Sequence, residues 1–103
     1  MSEPVYLLVL GKGWTEAWYQ LSKEEQESLW SKVMEIDEQA GVEWLVMCNS
    51  RWADEEIYDW GVAVHPDMET YQKKVAELEK LDWWRFFSAK TILGTKFQDR
   101  DSA

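Results

Sequence analysis

Tyr58-Asp59-Trp60-Gly61-Val62-Ala63-Val64-His65-Pro66-Asp67 is the stretch that decides the fold. As a pleated strand it sets Tyr58, Trp60, Val62 and Val64 on one face and Asp59, Gly61, Ala63 and His65 on the other. The large apolar set is expected to bury a helix layer, and the small or polar set to leave room. Pro66 has no N–H to donate, so the strand ends at His65, and Asp67 can accept from the free N–H groups of a following helix. The only histidine of the chain therefore falls at a strand end, where a ligand can reach it.

Working outward, Val42 to Arg51 reads as the preceding strand, with Trp44, Val46 and Cys48 on one face. Glu43, Leu45, Met47, Asn49 and Arg51 fall on the other, a mixed pattern that suits a sheet edge. The short polar link Trp52 to Glu56 then favours a hairpin. On the C-terminal side, Met68, Tyr71, Val75 and Leu78 form a helical stripe with Lys73, Lys74, Glu77, Glu79 and Lys80 outside it. Leu81 to Phe87 is an aromatic junction, and Ser88 to Phe97 a last strand with Gly94 at a bulge or close contact. Gln98 to Ala103 reads as a polar, frayed tail.

Near the N-terminus, Pro4 to Gly11 is a strand whose two alternating sets, Val5/Leu7/Val9 and Tyr6/Leu8/Leu10, are both apolar. That is the mark of burial on two faces, which one helix layer cannot provide. Gly11-Lys12-Gly13 is expected as a turn, because neither phosphate-loop spacing nor a following Lys-Ser/Thr accompanies it. Trp14 to Leu21 is a short aromatic segment, either a packed helical turn or a ligand-covering lid. Ser22-Lys23-Glu24-Glu25 is a capping box, and Leu29, Val33, Ile36 and Ala40 carry one helical face to the stop at Gly41. The order is βαββαβ, and right-handed crossovers fold it into an α+β, ferredoxin-like antiparallel sheet with two helices on one face and the first and third strands central.

Composition bounds the partners. The 103 residues make a single domain, 1–103, with eight tryptophans and a formal charge of −9, which repels phosphate backbones and anionic lipid. Neither nucleic acid nor membrane is expected. The lone Cys48 lies in an apolar run and reads as a buried, inert thiol, which suits a reducing cytoplasm. The apolar run Val5 to Leu10 is too short and wrongly flanked for a signal peptide or a spanning helix, so nothing marks export. No metal is expected, since a lone histidine cannot build the usual two-histidine site and no H-E-x-x-H or C-x-x-C is present. The carboxylate clusters Glu24-Glu25-x-Glu27 and Asp54-Glu55-Glu56 read as solvated charge.

Trp18-x-x-Leu21-Ser22-x-x-Glu25, Gly41-Val42, Asp59-Trp60, Pro66-Asp67, Trp83-Trp84-x-Phe86-Phe87 and Gly94, in a chain of this length and element order, resemble a small family of the dimeric α/β-barrel superfamily. The resemblance spans nearly the whole chain and rests on packing and turn residues. It implies two sheets facing each other across a two-fold axis to close a barrel. That superfamily includes cofactor-free monooxygenases, polyketide cyclases, isomerases, haem enzymes and stress proteins. Its haem-binding branches are far longer and take their proximal histidine from another place, so no cofactor is implied here. No family catalytic residue carries over by position.

The candidate site follows from the residues themselves. His65 is the candidate general base, because its pKa lies near neutrality, with a turn-bonding role as the alternative. Gly61 and Ala63 leave volume for a cavity between two sheets, although a bulky side chain such as Phe97 could fill it. Tyr6 and Asn49 are candidate polar contacts, and Trp18 and Trp84, with Trp14 and Trp83, candidate walls at its mouth. Two functions fit: a cofactor-free oxygenase, cyclase or isomerase acting on an apolar or aromatic small molecule, or a non-catalytic stress-response or ligand-binding domain. In either case a homodimer through the sheet face is expected, because the second apolar face of the first strand needs a cover.

Overall fold

Pro66 and Asp67 close one element and open the next. Strand β3 (Asp59–His65) stops before Pro66, and helix α3 (Met68–Lys80) starts behind Asp67, whose carboxylate accepts from the Thr70 N–H at 2.7 Å and the Thr70 hydroxyl at 2.6 Å. The computed structural model describes residues 3–97, so the tail from Gln98 onward lies outside the described residues. Ahead of β3 come β1 (Val5–Trp14), a one-turn helix α1 (Glu16–Tyr19), the long helix α2 (Lys23–Ala40) and β2 (Glu43–Asn49). After α3 come a 3₁₀ turn (Trp83–Arg85) and β4 (Phe87–Gly94).

The four strands form one antiparallel sheet in the order β2-β3-β1-β4, which puts the first and third strands in the centre and β2 at an edge. Helix α2 starts at the expected capping box: Glu25 N–H donates to Ser22 Oγ at 3.1 Å, and Ser22 N–H to Glu25 Oε1 at 2.9 Å. It ends at Gly41 in the left-handed region, with φ 70°. Trp14 to Leu21 is a packed turn rather than a cover over open space, with the Trp18 indole stacked on Trp14 at 3.9 Å.

Two bulges change the expected registers. Gly11-Lys12-Gly13 does not turn the chain: β1 continues to Trp14, with Lys12 as the extra residue between pairs Gly11/Ala89 and Gly13/Ser88. Gly13 takes φ 110°, where the Tyr58 ring leaves no space for a side chain. In β2, Leu45 is the extra residue between Trp44 and Val46, so Trp44 shares a face with Met47 and Asn49 instead of with Val46 and Cys48. Gly94, in contrast, ends β4 in open space with no bulge.

The faces of β3 are the reverse of the expectation. Ala63 and His65 are buried beside Val5 and Leu7 on the side that carries the helices, while Trp60, Val62 and Val64 point outward and remain half-buried. The reason is volume supplied by neighbouring strands. At Gly61 a Cβ would come within 2.9 Å of the Trp44 ring and 3.1 Å of the Val46 carbonyl oxygen, so the indole occupies the space that glycine leaves. A second core cluster, Val33, Leu78 and Trp83, joins α2, α3 and the 3₁₀ turn. Cys48 is only partly buried and points outward with its partner Trp60.

Candidate ligand cavity

Between the helix-bearing sheet face and the helices lies a cavity of about 220 Å³. Its floor is Leu7 and Val9 of β1, Gly61 of β3, and Ala89 and Thr91 of β4. Indoles supply much of the wall: Trp14, Trp83 and Trp84 on one side, Trp30 from α2, and Trp44 from β2. These rings hold one another, with Trp14 edge-on to Trp83 at 5.8 Å and to Trp30 at 5.9 Å, and Trp83 stacked on Phe87 at 5.7 Å. The junction that carries Trp83 and Trp84 is tied to the start of α1, where Thr15 Oγ1 donates to the Arg85 carbonyl at 2.6 Å and Thr15 N–H to the Phe86 carbonyl at 3.0 Å.

One polar group on the cavity wall is an ion pair. Lys74 Nζ donates to Asp37 Oδ1 at 3.0 Å and lies 3.3 Å from His65 Nε2. An ammonium has donors only, so Nε2 accepts and the imidazole proton sits on Nδ1, which has no hydrogen-bond partner among the described residues. Burial, first, and then the Lys74 charge push the His65 pKa from 6.5 down to about 4, against the opposing pull of Asp37, so His65 is neutral at physiological pH. The Tyr71 ring packs edge-to-face on the imidazole at 5.3 Å, and burial raises the Tyr71 pKa. At the other end of the strand, Asp59 and Arg51 line the cavity too, and Arg51 stacks over the Tyr58 ring at 5.1 Å.

The structure brings together only part of the residue set singled out in the sequence. Gly61 and Trp84 line the cavity; Trp18 lies behind it, stacked on Trp14, and Ala63 is sealed into the core between Val5 and Leu7. His65 has no exposed surface and meets the cavity through Lys74 and Tyr71, which both line it. Tyr6 stands on the outer sheet face, 6.0 Å from Lys96 Nζ. Asn49 borders a shallow, open hollow at the end of β2, where its side chain accepts from the Arg51 N–H at 3.0 Å.

Lys74 is the residue that the sequence reading missed, having been placed on the solvent side of α3; it is 9% exposed. The signal was present, because position 74 is three residues after Tyr71 and four before Leu78 and so lies on the apolar stripe. Asp37, four residues after Val33, occupies the matching place on α2. Among the described residues no cluster of His, Cys, Asp and Glu is arranged to hold a metal ion, and no helix is long and apolar enough to cross a membrane.

A four-stranded antiparallel sheet with its helices on one face and a cavity beneath them defines an α+β, ferredoxin-like protein. Solved structures share this chain path. SnoaB, a cofactor-independent oxygenase from Streptomyces nogalater, matches in a point-variant form at 14% identity with a TM-score of 0.53, over 97% of this chain and 99% of that one. A protein from Shewanella loihica PV-4, provisionally described as a monooxygenase, matches at 15% identity with a TM-score of 0.56, over 96% and 99%. At this identity the likeness speaks for the fold alone, an α+β, ferredoxin-like chain path. No family model matches the chain, and no curated protein matches its sequence.

Proposed function

We propose that the protein is a homodimer that takes an apolar or aromatic small molecule into the cavity and oxygenates it without a cofactor. The observation that carries the reading is the cavity itself, an indole-walled slot of about 220 Å³ floored by Leu7, Val9, Gly61, Ala89 and Thr91. It falls below the roughly 300 Å³ at which sites for drug-sized ligands begin, which suits a ligand of two or three fused rings. The likeness to a cofactor-independent oxygenase supports the reaction class. In such a reaction a CH₂ group beside an aromatic ketone loses a proton, the carbanion passes its electrons to dioxygen, and the products are a new carbonyl and water. The substrate supplies every electron.

The outer sheet face supports the dimer. Val46, Val62, Leu8 and Ile92 pair into an apolar row across the four strands, and no helix among the described residues covers it. In this reading Gly61 and Trp84 are cavity walls, Trp18 and Ala63 support them from behind, and His65 acts through Lys74. Tyr6 serves the assembly face and Asn49 the rim. The unpaired Cys48 suits the cytoplasm.

Anthralin, a dihydroxyanthrone, tests the proposal. It should quench tryptophan fluorescence saturably under argon and, in air with a chelator present, consume one dioxygen per molecule faster than in buffer alone. Absence of saturable quenching would remove the ligand site. Saturable quenching with no acceleration would leave the non-catalytic ligand-binding domain.

A further inference from the structure

The Asp37–Lys74–His65 group raises a separate question, because a lysine is rarely buried without an assignment for each of its donors. Lys74 carries three N–H groups. One goes to Asp37 Oδ1 at 3.0 Å and a second to His65 Nε2 at 3.3 Å. No described residue accepts the third, and Lys74 lines the cavity.

We propose that this third N–H binds an oxygen anion of the ligand, the ionised hydroxyl of a phenol or of the enol form of an aromatic ketone. The inference rests on the cavity being the ligand site and adds to it the ionisation state of the ligand. Lys74 is the group that touches the ligand; Asp37 and His65 are positioning residues.

The identity of each partner fits an anion. Three charged or titratable groups from three elements face the ammonium and its partner ring: Asp37 from α2, His65 from β3, and Tyr71 from its own helix, against the imidazole. Asp37 balances the lysine charge, so the pair is neutral overall and can be buried. His65 fixes the ammonium as a neutral acceptor. A second carboxylate at position 65 would hold Lys74 equally well but would turn the group net negative and repel the ligand. A charge-assisted N–H···O⁻ bond in a wall of indoles is stronger than the same bond in water, so the cavity should favour the ionised ligand over the neutral one.

Alizarin, a dihydroxyanthraquinone whose absorption changes on ionisation, reads this preference with no need for turnover. Bound to the parent protein it should ionise at least one pH unit lower than in buffer, a tenfold preference for the anion. Lys74→Met should bind alizarin with that displacement gone, and Asp37→Asn, which frees the ammonium from its counter-ion, should enlarge it. His65→Gln, which still offers Lys74 an acceptor, should preserve it, whereas His65→Leu should reduce it. A displacement that survives in Lys74→Met overturns the proposal. Where Lys74→Met does not fold, Asp37→Asn carries the test, and an unchanged or smaller displacement there overturns it as well. Alizarin that binds without any displacement in the parent refutes the anion site alone, while alizarin that fails to bind refutes the ligand cavity and the anion site with it.

Discussion

Acidification through the range where a free histidine titrates should destabilise this protein, and His65 should be the cause. In the unfolded chain His65 takes up a proton near pH 6.5; in the folded protein burial and the Lys74 charge delay it to about 4. Between those values the unfolded state binds the extra proton, so stability falls as the pH drops from 6.5 towards 4 and levels below that. At 1.36 kcal/mol per pH unit the full loss is on the order of 3 kcal/mol, a large part of the roughly 5–15 kcal/mol that holds a domain together. The imidazole has no exposed surface, so solvent gives little screening. Urea unfolding between pH 7.5 and 4.5 measures it, with His65→Gln as the control. Glu25, Asp54 and Asp67, whose pKa values hydrogen bonds hold low, lose their contributions only below about pH 5 and do so equally in both proteins. Parallel pH profiles for parent and His65→Gln would refute the neutral, buried histidine.

Leu8 sits mid-row on the outer sheet face, so Leu8→Glu should place two unpaired carboxylates in each dimer interface; at about 3 kcal/mol each this weakens association roughly ten-thousandfold. Light scattering over a micromolar concentration series should show a folded monomer, and a persisting dimer would rule out the sheet face as the interface. Ser22→Ala removes the acceptor for the Glu25 N–H and should cost about 1 kcal/mol without changing assembly, with an unchanged melting midpoint as the contrary result. Gly61→Ala should drive the Trp44 ring off the strand, lowering stability by about 1–3 kcal/mol and weakening aromatic ligand binding together; undiminished quenching by anthralin would separate Gly61 from the site.

What could be read from the sequence was whatever local chemistry determines. Ser22, Gly41, Pro66 and Asp67 fix helix and strand ends through their own hydrogen bonds and dihedral angles, and the two-sided apolar pattern of Val5 to Leu10 fixes β1 as a central strand. What could not be read depended on non-local volume. The small face of β3 suggested space between sheets, but the Trp44 indole, brought over Gly61 by a bulge at Leu45, shows that the small residues accommodate neighbours under the helices. A bulge leaves a weak mark on alternation, since one extra residue turns every later side chain over. Lys74 escaped for a different reason: hydropathy places lysine outside, and only its pairing with Asp37, on a helix far away in sequence, allows it inside.

The chain's overall charge and its buried cation together say how a ligand would enter. With a formal charge of −9, the surface repels a ligand that is already ionised, and this repulsion weakens with salt over a distance of about 8–10 Å. Lys74 sits inside, where the surrounding protein excludes mobile ions, so its attraction acts only after entry. In the proposed reading the two fields act in sequence: the outer one favours entry of the neutral phenol or enol, and the inner one stabilises the anion left when its proton has passed to solvent. A charged histidine would compete with Lys74 for Asp37, whereas His65, with its pKa lowered to about 4, leaves the ammonium as the positive group among the described residues at that end of the cavity.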